Sequence, residues 1–108
     1  MDLVKAMNDH SQYLRKVVNT LNGKADFKGV AYEDCSFGQW LHNEAENVED
    51  PTFKEKLPEL KTLHKEFHEL GRNALKHHEE NSAYDAQQEL TKLYQKSNQL
   101  LNILNKLM

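Results

Sequence analysis

The sequence predicts an all-α protein folded as an antiparallel four-helix bundle, with three long helices and a short second helix. Apolar residues recur every three or four positions along most of the chain, and no stretch alternates as a strand would. Only two prolines and four glycines interrupt the 108 residues. Because this length is typical of one domain, residues 1–108 are predicted to form a single domain.

The first predicted helix runs from Leu3 to Leu21 with apolar residues on one face, and Gly23 is typical of the residue that follows a helix end. After a polar connection, a short second helix is predicted to begin near Cys35. Asp34 is its predicted N-cap, because short polar side chains accept hydrogen bonds from the first free amides of a helix.

The second half of the chain predicts two further helices. Asp50 and Pro51 indicate one helix start, and Pro58 is predicted to begin the main third helix, because an interior proline costs about 3 kcal/mol. A fourth helix is predicted to follow Ser82, with an apolar face that continues to Leu107.

Composition argues against several classes of function. The net charge is −3 and the lysines are dispersed among acidic residues, so a nucleic-acid partner is not expected. No apolar run approaches the roughly 20 residues of a membrane span, and the first ten residues do not resemble a signal peptide. A single cysteine excludes an internal disulfide and is consistent with a reducing compartment.

Three histidines occupy positions where the helical pattern expects the bundle interior. His10 lies on the apolar seam of the first helix, and His64 and His68 are four residues apart on the third, beside its apolar face. One inward histidine is more often an ordinary core residue than a ligand. Three together each need partners for two ring nitrogens, which favours a shared metal ion.

The only cysteine is the predicted fourth ligand. Cys35 is expected at a helix start, where free amide groups stabilise a thiolate. On its own the thiol is as easily a small buried hydrophobic group. Combined with His10, His64 and His68, it makes a His3Cys set that suits Zn²⁺, and Gly38 is expected to allow close backbone packing beside it.

These residues resemble the chemoreceptor zinc-binding domain family. The family pattern is a histidine in the first helix, a C-x-[LF]-G-x-W motif and a later H-x-x-x-H; here these are His10, the "CSFGQW" from Cys35, and the "HKEFH" that contains His64 and His68. Tyr13 stands where the family often has tryptophan. The resemblance covers nearly the whole chain and implies that these four residues bind zinc.

The resemblance also implies a function. Similar domains are non-enzymatic sensory modules in the bacterial cytoplasm, often homodimeric, that are attached to chemoreceptor signalling regions or diguanylate cyclases. It therefore implies a role in chemotaxis or cyclic-di-GMP signalling, with sensing of zinc or of oxidants such as hypochlorous acid through the zinc-bound thiolate.

Two other metal proteins share parts of this pattern. A hemerythrin-like diiron oxygen carrier is the alternative, supported by His42 and Glu46 in H-x-x-x-E spacing, but the predicted fourth helix contains no histidine. A metalloprotease of the H-E-x-x-H type is disfavoured, because Glu66 is two residues after His64 and projects from another side of the helix.

The remaining candidates have smaller predicted roles. His42, His77 and His78 are expected on the surface. A carboxylate is expected to hydrogen-bond a ligating imidazole, as partners of metal ligands often do. The candidates for it are Glu33, Asp34 and Glu44. The apolar residues near the end of the fourth helix predict a homodimer contact; they are Leu100, Leu101, Ile103, Leu104 and Leu107.

Overall fold

Four α-helices make up most of the protein. The computed structural model describes residues 2–107, and the side chains of Glu33 and Glu46 are outside this description. The helices are α1 (Leu3–Leu21), α2 (Ser36–Asn43), α3 (Pro51–Glu79) and α4 (Ala83–Lys106), and short 3₁₀ turns at Tyr32–Asp34 and Ala45–Asn47 flank α2. The predicted all-α four-helix bundle with a short second helix is confirmed.

The helices alternate in direction along the chain. α3 and α4 form an antiparallel hairpin, and α1 packs against both of them. The α2 residues Phe37 and Trp40 contact His64 and Phe53 of α3, so α2 runs opposite to α3. Because α2 has only eight residues, it covers part of the bundle, and the loop of residues 22–31 lies against α3 farther along.

Side-chain caps explain why two helices begin where they do. The Asp2 carboxylate accepts a hydrogen bond from the Lys5 amide at 3.1 Å, and the Asp50 carboxylate accepts one from the Thr52 amide at 2.9 Å. At the other end of α1, Gly23 has a φ of +77°, as the sequence predicts for a residue just past a helix end.

Two predicted helix starts are wrong. Pro58 lies inside α3, which already begins at Pro51, because the Asp50 cap starts the helix there and buried Phe53 and Leu57 hold its first two turns in the core. Pro58 and Lys54 lie on the exposed face of α3. Proline has no amide hydrogen to donate to the Lys54 carbonyl, and because that carbonyl lies on the exposed face, water can hydrate it.

Asp34 is not the N-cap of α2. It belongs to the 3₁₀ turn, and Cys35 occupies the N-cap position with extended backbone and no side-chain capping bond. Ser82 does occupy the N-cap of α4 but also makes no side-chain capping bond.

The core is a continuous apolar stripe between α1, α3 and α4. Its completely buried aliphatic and aromatic side chains are Val17, Leu60, Phe67, Ala74, Leu93, Leu100 and Leu104. His10, His64 and His68 interrupt this stripe in the middle of the molecule. None of the described helices combines the length and the apolar character that a bilayer crossing requires.

Candidate metal centre

Four side chains from distant parts of the chain converge inside the bundle. They are His10 of α1, Cys35 at the N-cap of α2, and His64 and His68 of α3. One potential ligand atom from each lies within 4.8 Å of all the others. The Nε2 atom of His10 is 3.9 Å from the Sγ atom of Cys35, and the ring centres of His64 and His68 are 4.6 Å apart. The structure therefore brings together all four predicted residues.

Apolar and aromatic groups enclose the three imidazoles. Their residues are only 1–2% exposed, whereas Cys35 is partly exposed. The Phe37 ring contacts His10 and His64 edge-on at 5.5 and 5.3 Å between centres, and Phe67 contacts His10 in the same way at 5.3 Å. This enclosure removes water from the imidazoles and leaves the thiol side of the site open.

Two buried ring nitrogens have no hydrogen-bond partner. They are the Nε2 atoms of His64 and His68. Leaving a buried polar atom unpaired costs about 1–3 kcal/mol, so such atoms in a folded core call for an explanation. Coordination of a metal ion by both nitrogens provides one.

Backbone carbonyls determine which nitrogen of His10 and His68 carries the proton. The Nδ1 atom of His10 is 2.6 Å from the Ala6 carbonyl oxygen, and the Nδ1 atom of His68 is 2.8 Å from that of Val30. Since a carbonyl can only accept, both Nδ1 atoms must be donors. The Nε2 atoms then keep their lone pairs, as metal ligands require.

Burial also keeps the imidazoles neutral. It lowers the pKa of His64 to about 2, with smaller contributions from the neighbouring histidines, and lowers the pKa of His68 to about 4. The pKa of His10 is lowered for the same reason. At neutral pH all three rings are therefore in the form that binds cations.

Gly38 allows α2 to pack directly over the site. A Cβ atom at this position would clash with the Tyr32 carbonyl oxygen and lie 3.0 Å from Cε1 of His64. The predicted close backbone packing at Gly38 is confirmed, because only glycine leaves room for α2 between the Tyr32 backbone and the imidazole.

A solvent-open cavity of about 500 Å³ reaches the site from one side. Its lining includes the buried His10 and His68, the partly exposed Cys35, and the exposed Gln12 and Lys16 of α1. His64 does not line it. The cavity makes Cys35 the ligand candidate that solvent molecules meet first.

The other predicted residues lie outside the cluster. His42 is exposed and its ring faces Tyr32 at 5.6 Å, whereas His77 and His78 are half-buried near the end of α3. Among the residues whose side chains are described, the four-residue cluster is the one group suited to a metal. The Glu46 of the diiron alternative is outside that description.

The partners of the imidazoles differ from those the sequence suggests. Asp34 and Glu44 are exposed, and the Glu33 side chain is outside the description. The carbonyls of Ala6 and Val30 take the role expected of a carboxylate. A backbone carbonyl is present at every residue, so no sequence signal identifies these two.

Three buried imidazoles and a partly exposed thiol that meet within a helical bundle define a metal-binding domain of the kind that holds zinc. The family model of the chemoreceptor zinc-binding domain matches residues 10–75, which is more than half of the chain and includes all four clustered residues. The chain belongs to this family. Searches among curated proteins and among solved structures found no significant match.

Proposed function

We propose that this protein is a zinc-binding sensory module of a bacterial signalling system and that it is not an enzyme. The observation that supports this most strongly is the convergence of the Cys35 thiol with the unpartnered Nε2 atoms of His64 and His68 inside the core. His10 contributes the fourth donor. Membership of a zinc-binding domain family supports the same ion.

The donor set suits zinc in number and spacing. A tetrahedral zinc ion with bonds of about 2.0 to 2.3 Å has donor atoms roughly 3.3 to 3.8 Å apart, so small side-chain rotations would bring the four donors into range. Four protein ligands complete the coordination sphere. With no position left for a water or a substrate, the proposed role of the ion is regulatory.

The ligands come from three separate elements, which gives the ion a means of signalling. It would join α1, the start of α2 and the middle of α3. α2 is short and packs through a small set of residues, among them buried Leu41 and the ring contacts of Phe37 with His64 and of Trp40 with Phe53. Losing the Cys35 bond would therefore change how α2 packs, and an attached domain could respond to this change.

Oxidation of Cys35 is the second proposed way to release this bond. In the reaction with hypochlorous acid, the thiolate loses two electrons and becomes a sulfenic acid, while the oxidant leaves as chloride. The sulfenic acid is a poorer ligand than the thiolate, and reduction by thiols restores the cysteine. The partial exposure of Cys35 on the cavity supports this proposal.

The proposed setting is the bacterial cytoplasm, with a chemoreceptor signalling region or a diguanylate cyclase as the output domain and a homodimer as the working unit. The family description connects the domain with chemoreceptors. Of the residues predicted for the dimer contact, Leu100, Ile103 and Leu104 are buried in this chain's own core. Half-buried Leu101 and Leu107 and exposed Tyr94 are left for a partner. Light scattering over a range of concentrations measures the mass, and a constant monomer mass would exclude the homodimer.

Zinc titration tests the central proposal. The chelator-treated protein is titrated with zinc against a chromophoric competitor, and bound metal is counted by elemental analysis. We expect one zinc per chain, and a loss of at least 100-fold in affinity for Cys35→Ser and for His64→Ala. His42→Ala removes an exposed histidine outside the cluster and serves as the matched control. Unchanged affinity in Cys35→Ser would refute the site.

A further inference from the structure

The loop of residues 22–31 carries the backbone group that orients one of the candidate ligands. We propose that Gly29 and Val30 are positioning residues for His68, and that the metal ion and this loop stabilise each other. This inference rests on the proposed function, because it concerns how the zinc site is held. It extends the site to the loop of residues 22–31, which supplies none of the four candidate ligands.

The Val30 carbonyl is the partner of His68 from outside its own helix. Its oxygen accepts a hydrogen bond from Nδ1 of His68 over 2.8 Å, across 38 positions of sequence. This bond leaves Nε2 unprotonated and directed into the site, where it has no other partner. Groups that orient metal-bound histidines in this way typically contribute 10- to 100-fold to metal affinity.

His10 provides a contrast within the same site. Its Nδ1 donates to the Ala6 carbonyl, four residues earlier in the same helix. This bond requires no element other than α1. The bond from His68 requires the loop to be in place, so orientation of His68 depends on tertiary structure.

Gly29 allows the loop to approach α3 closely enough for this bond. Its φ is +87°, in the left-handed region that side chains disfavour. A Cβ atom at Gly29 would lie 3.0 Å from Cγ of Arg72 and 3.3 Å from Cδ1 of Leu75, one to two turns beyond His68. With a side chain there, either Arg72 and Leu75 must shift by a few tenths of an ångström or the loop must move outward. Because Leu75 is buried in the core, we expect the loop to move, and the Val30 carbonyl with it.

Tyr13 of α1 contacts both His68 of α3 and the loop. Its hydroxyl donates to the His68 carbonyl at 3.4 Å, and its ring contacts those of His68 and Phe27 at 4.7 and 5.3 Å between centres. The Phe27 amide in turn donates to the Thr20 hydroxyl oxygen at 3.0 Å. The loop is therefore attached to α1 through Phe27 and to α3 through Val30, and it continues through the 3₁₀ turn to Cys35 and α2.

Linkage makes the effect reciprocal. If the loop in its packed position strengthens metal binding, the bound metal must stabilise the packed loop by the same factor. An ion on Nε2 fixes the His68 ring, and the fixed ring retains the bond to Val30. Zinc is thus expected to slow amide hydrogen exchange at residues 27–31.

Two glycines of the same loop provide a matched test. Gly23 also has a positive φ, +77°, but a Cβ atom there would have nothing within 4 Å. Gly23→Ala and Gly29→Ala thus share the backbone strain, and only Gly29→Ala adds contacts with α3. We expect Gly29→Ala to weaken zinc binding by 10- to 100-fold and Gly23→Ala to change it by less than twofold.

The outcome separates this inference from the proposed function. If the unmodified protein binds one zinc and the two variants bind it equally well, the role of the loop is refuted and the zinc site stands. If the unmodified protein binds no zinc, both are refuted. An ¹⁵N spectrum of the histidines reports directly which ring nitrogen carries the proton, which a loss of stability alone would not change. Gly29→Ala should lose the Nδ1-protonated signature of His68, and Gly23→Ala should keep it.

A second measurement uses the unmodified protein and does not depend on how well Gly29→Ala folds. Hydrogen exchange is compared between chelator-treated and zinc-loaded protein, with α4 as the internal reference because it supplies no ligand. We expect zinc to slow the exchange of the loop amides by a factor at least tenfold larger than the factor by which it slows exchange in α4. Equal changes in the two segments would overturn the inference.

Discussion

The two sides of the metal site are held by different kinds of structure. On the helix side, formed by α1 and α3, regular backbone presents His10, His64 and His68 from the core. On the loop side, formed by residues 22–35, an irregular segment supplies Cys35 and the Val30 carbonyl. The helix side is held by fully buried apolar packing, whereas the loop side is held by half-buried side chains and a few hydrogen bonds. Metal occupancy should therefore affect the loop side most.

The largest expected effect is an acid sensitivity of the metal-free protein that originates on the helix side. Burial lowers the pKa of His64 to about 2 and that of His68 to about 4, from an ordinary 6.5. The unfolded chain takes up protons near pH 6.5 and the folded chain does not. The free energy of unfolding therefore has its full value above pH 6.5. Between pH 6.5 and pH 4 it decreases by up to about 1.4 kcal/mol per pH unit for each histidine.

Urea unfolding of chelator-treated protein at several pH values measures this slope. His64→Leu should reduce it, since one buried neutral imidazole is removed. His42→Ala, which removes an exposed imidazole outside the cluster, is the matched control. Equal unfolding free energies at pH 7 and pH 5 would contradict the prediction.

The next effect compares an aromatic ring from each side. Phe67 is completely buried on α3 and touches His10, Tyr13 and His68. Phe67→Ala should lower the unfolding free energy of the metal-free protein by about 4 kcal/mol, through lost burial and a cavity. Phe27 is half-buried on the loop, so Phe27→Ala should cost about 1 kcal/mol. Denaturant unfolding measures both losses of unfolding free energy. Similar values for the two variants would contradict the difference in packing between the helix side and the loop side.

Gly38 lies where the two sides meet, and Gly38→Ala should have an intermediate effect. The added methyl group clashes with the Tyr32 carbonyl, and because that atom is backbone, α2 or the preceding turn must move. We expect a loss of about 3 kcal/mol in unfolding free energy together with weaker zinc binding. The exposed neighbour Gln39 is the control, and Gln39→Ala should stay within about 0.5 kcal/mol. A crystal structure of Gly38→Ala with α2 unmoved would contradict the argument.

The smallest effect is a gain in stability on the helix side, away from the site. Pro58 lies in the exposed part of α3 and deprives the helix of one amide donor. Pro58→Ala should raise the unfolding free energy by about 2 kcal/mol, because alanine restores that donor and favours helix. Zinc affinity should not change. A decrease in stability would show that the proline is needed to start α3.

The helix side could be predicted from the sequence almost completely. The spacing of His64 and His68 places both on one face of any helix that contains them, and the apolar seam around His10 directs it inward. The exact start of α3 was the exception, since the preference against interior proline was weaker than the Asp50 cap and the burial of Phe53.

The loop side could be predicted only in part. The single cysteine in "CSFGQW" marked the motif, but its position as the N-cap itself, one residue after the predicted Asp34, follows from how the 3₁₀ turn enters α2. The roles of Gly29 and Val30 had no signature. A positive φ and a carbonyl within reach of an imidazole depend on where the loop meets α3.

The sequence by itself determined the helical class, the interior position of three histidines and the cysteine that is the fourth candidate ligand, because helical periodicity and residue chemistry are local properties. Only the tertiary structure decided that the four candidate ligand atoms meet within 4.8 Å and that the His68 ring hydrogen-bonds to the Val30 carbonyl. Both facts join residues tens of positions apart. Such contacts exist only once the helices have packed, since local periodicity does not encode the path of a loop across a neighbouring helix.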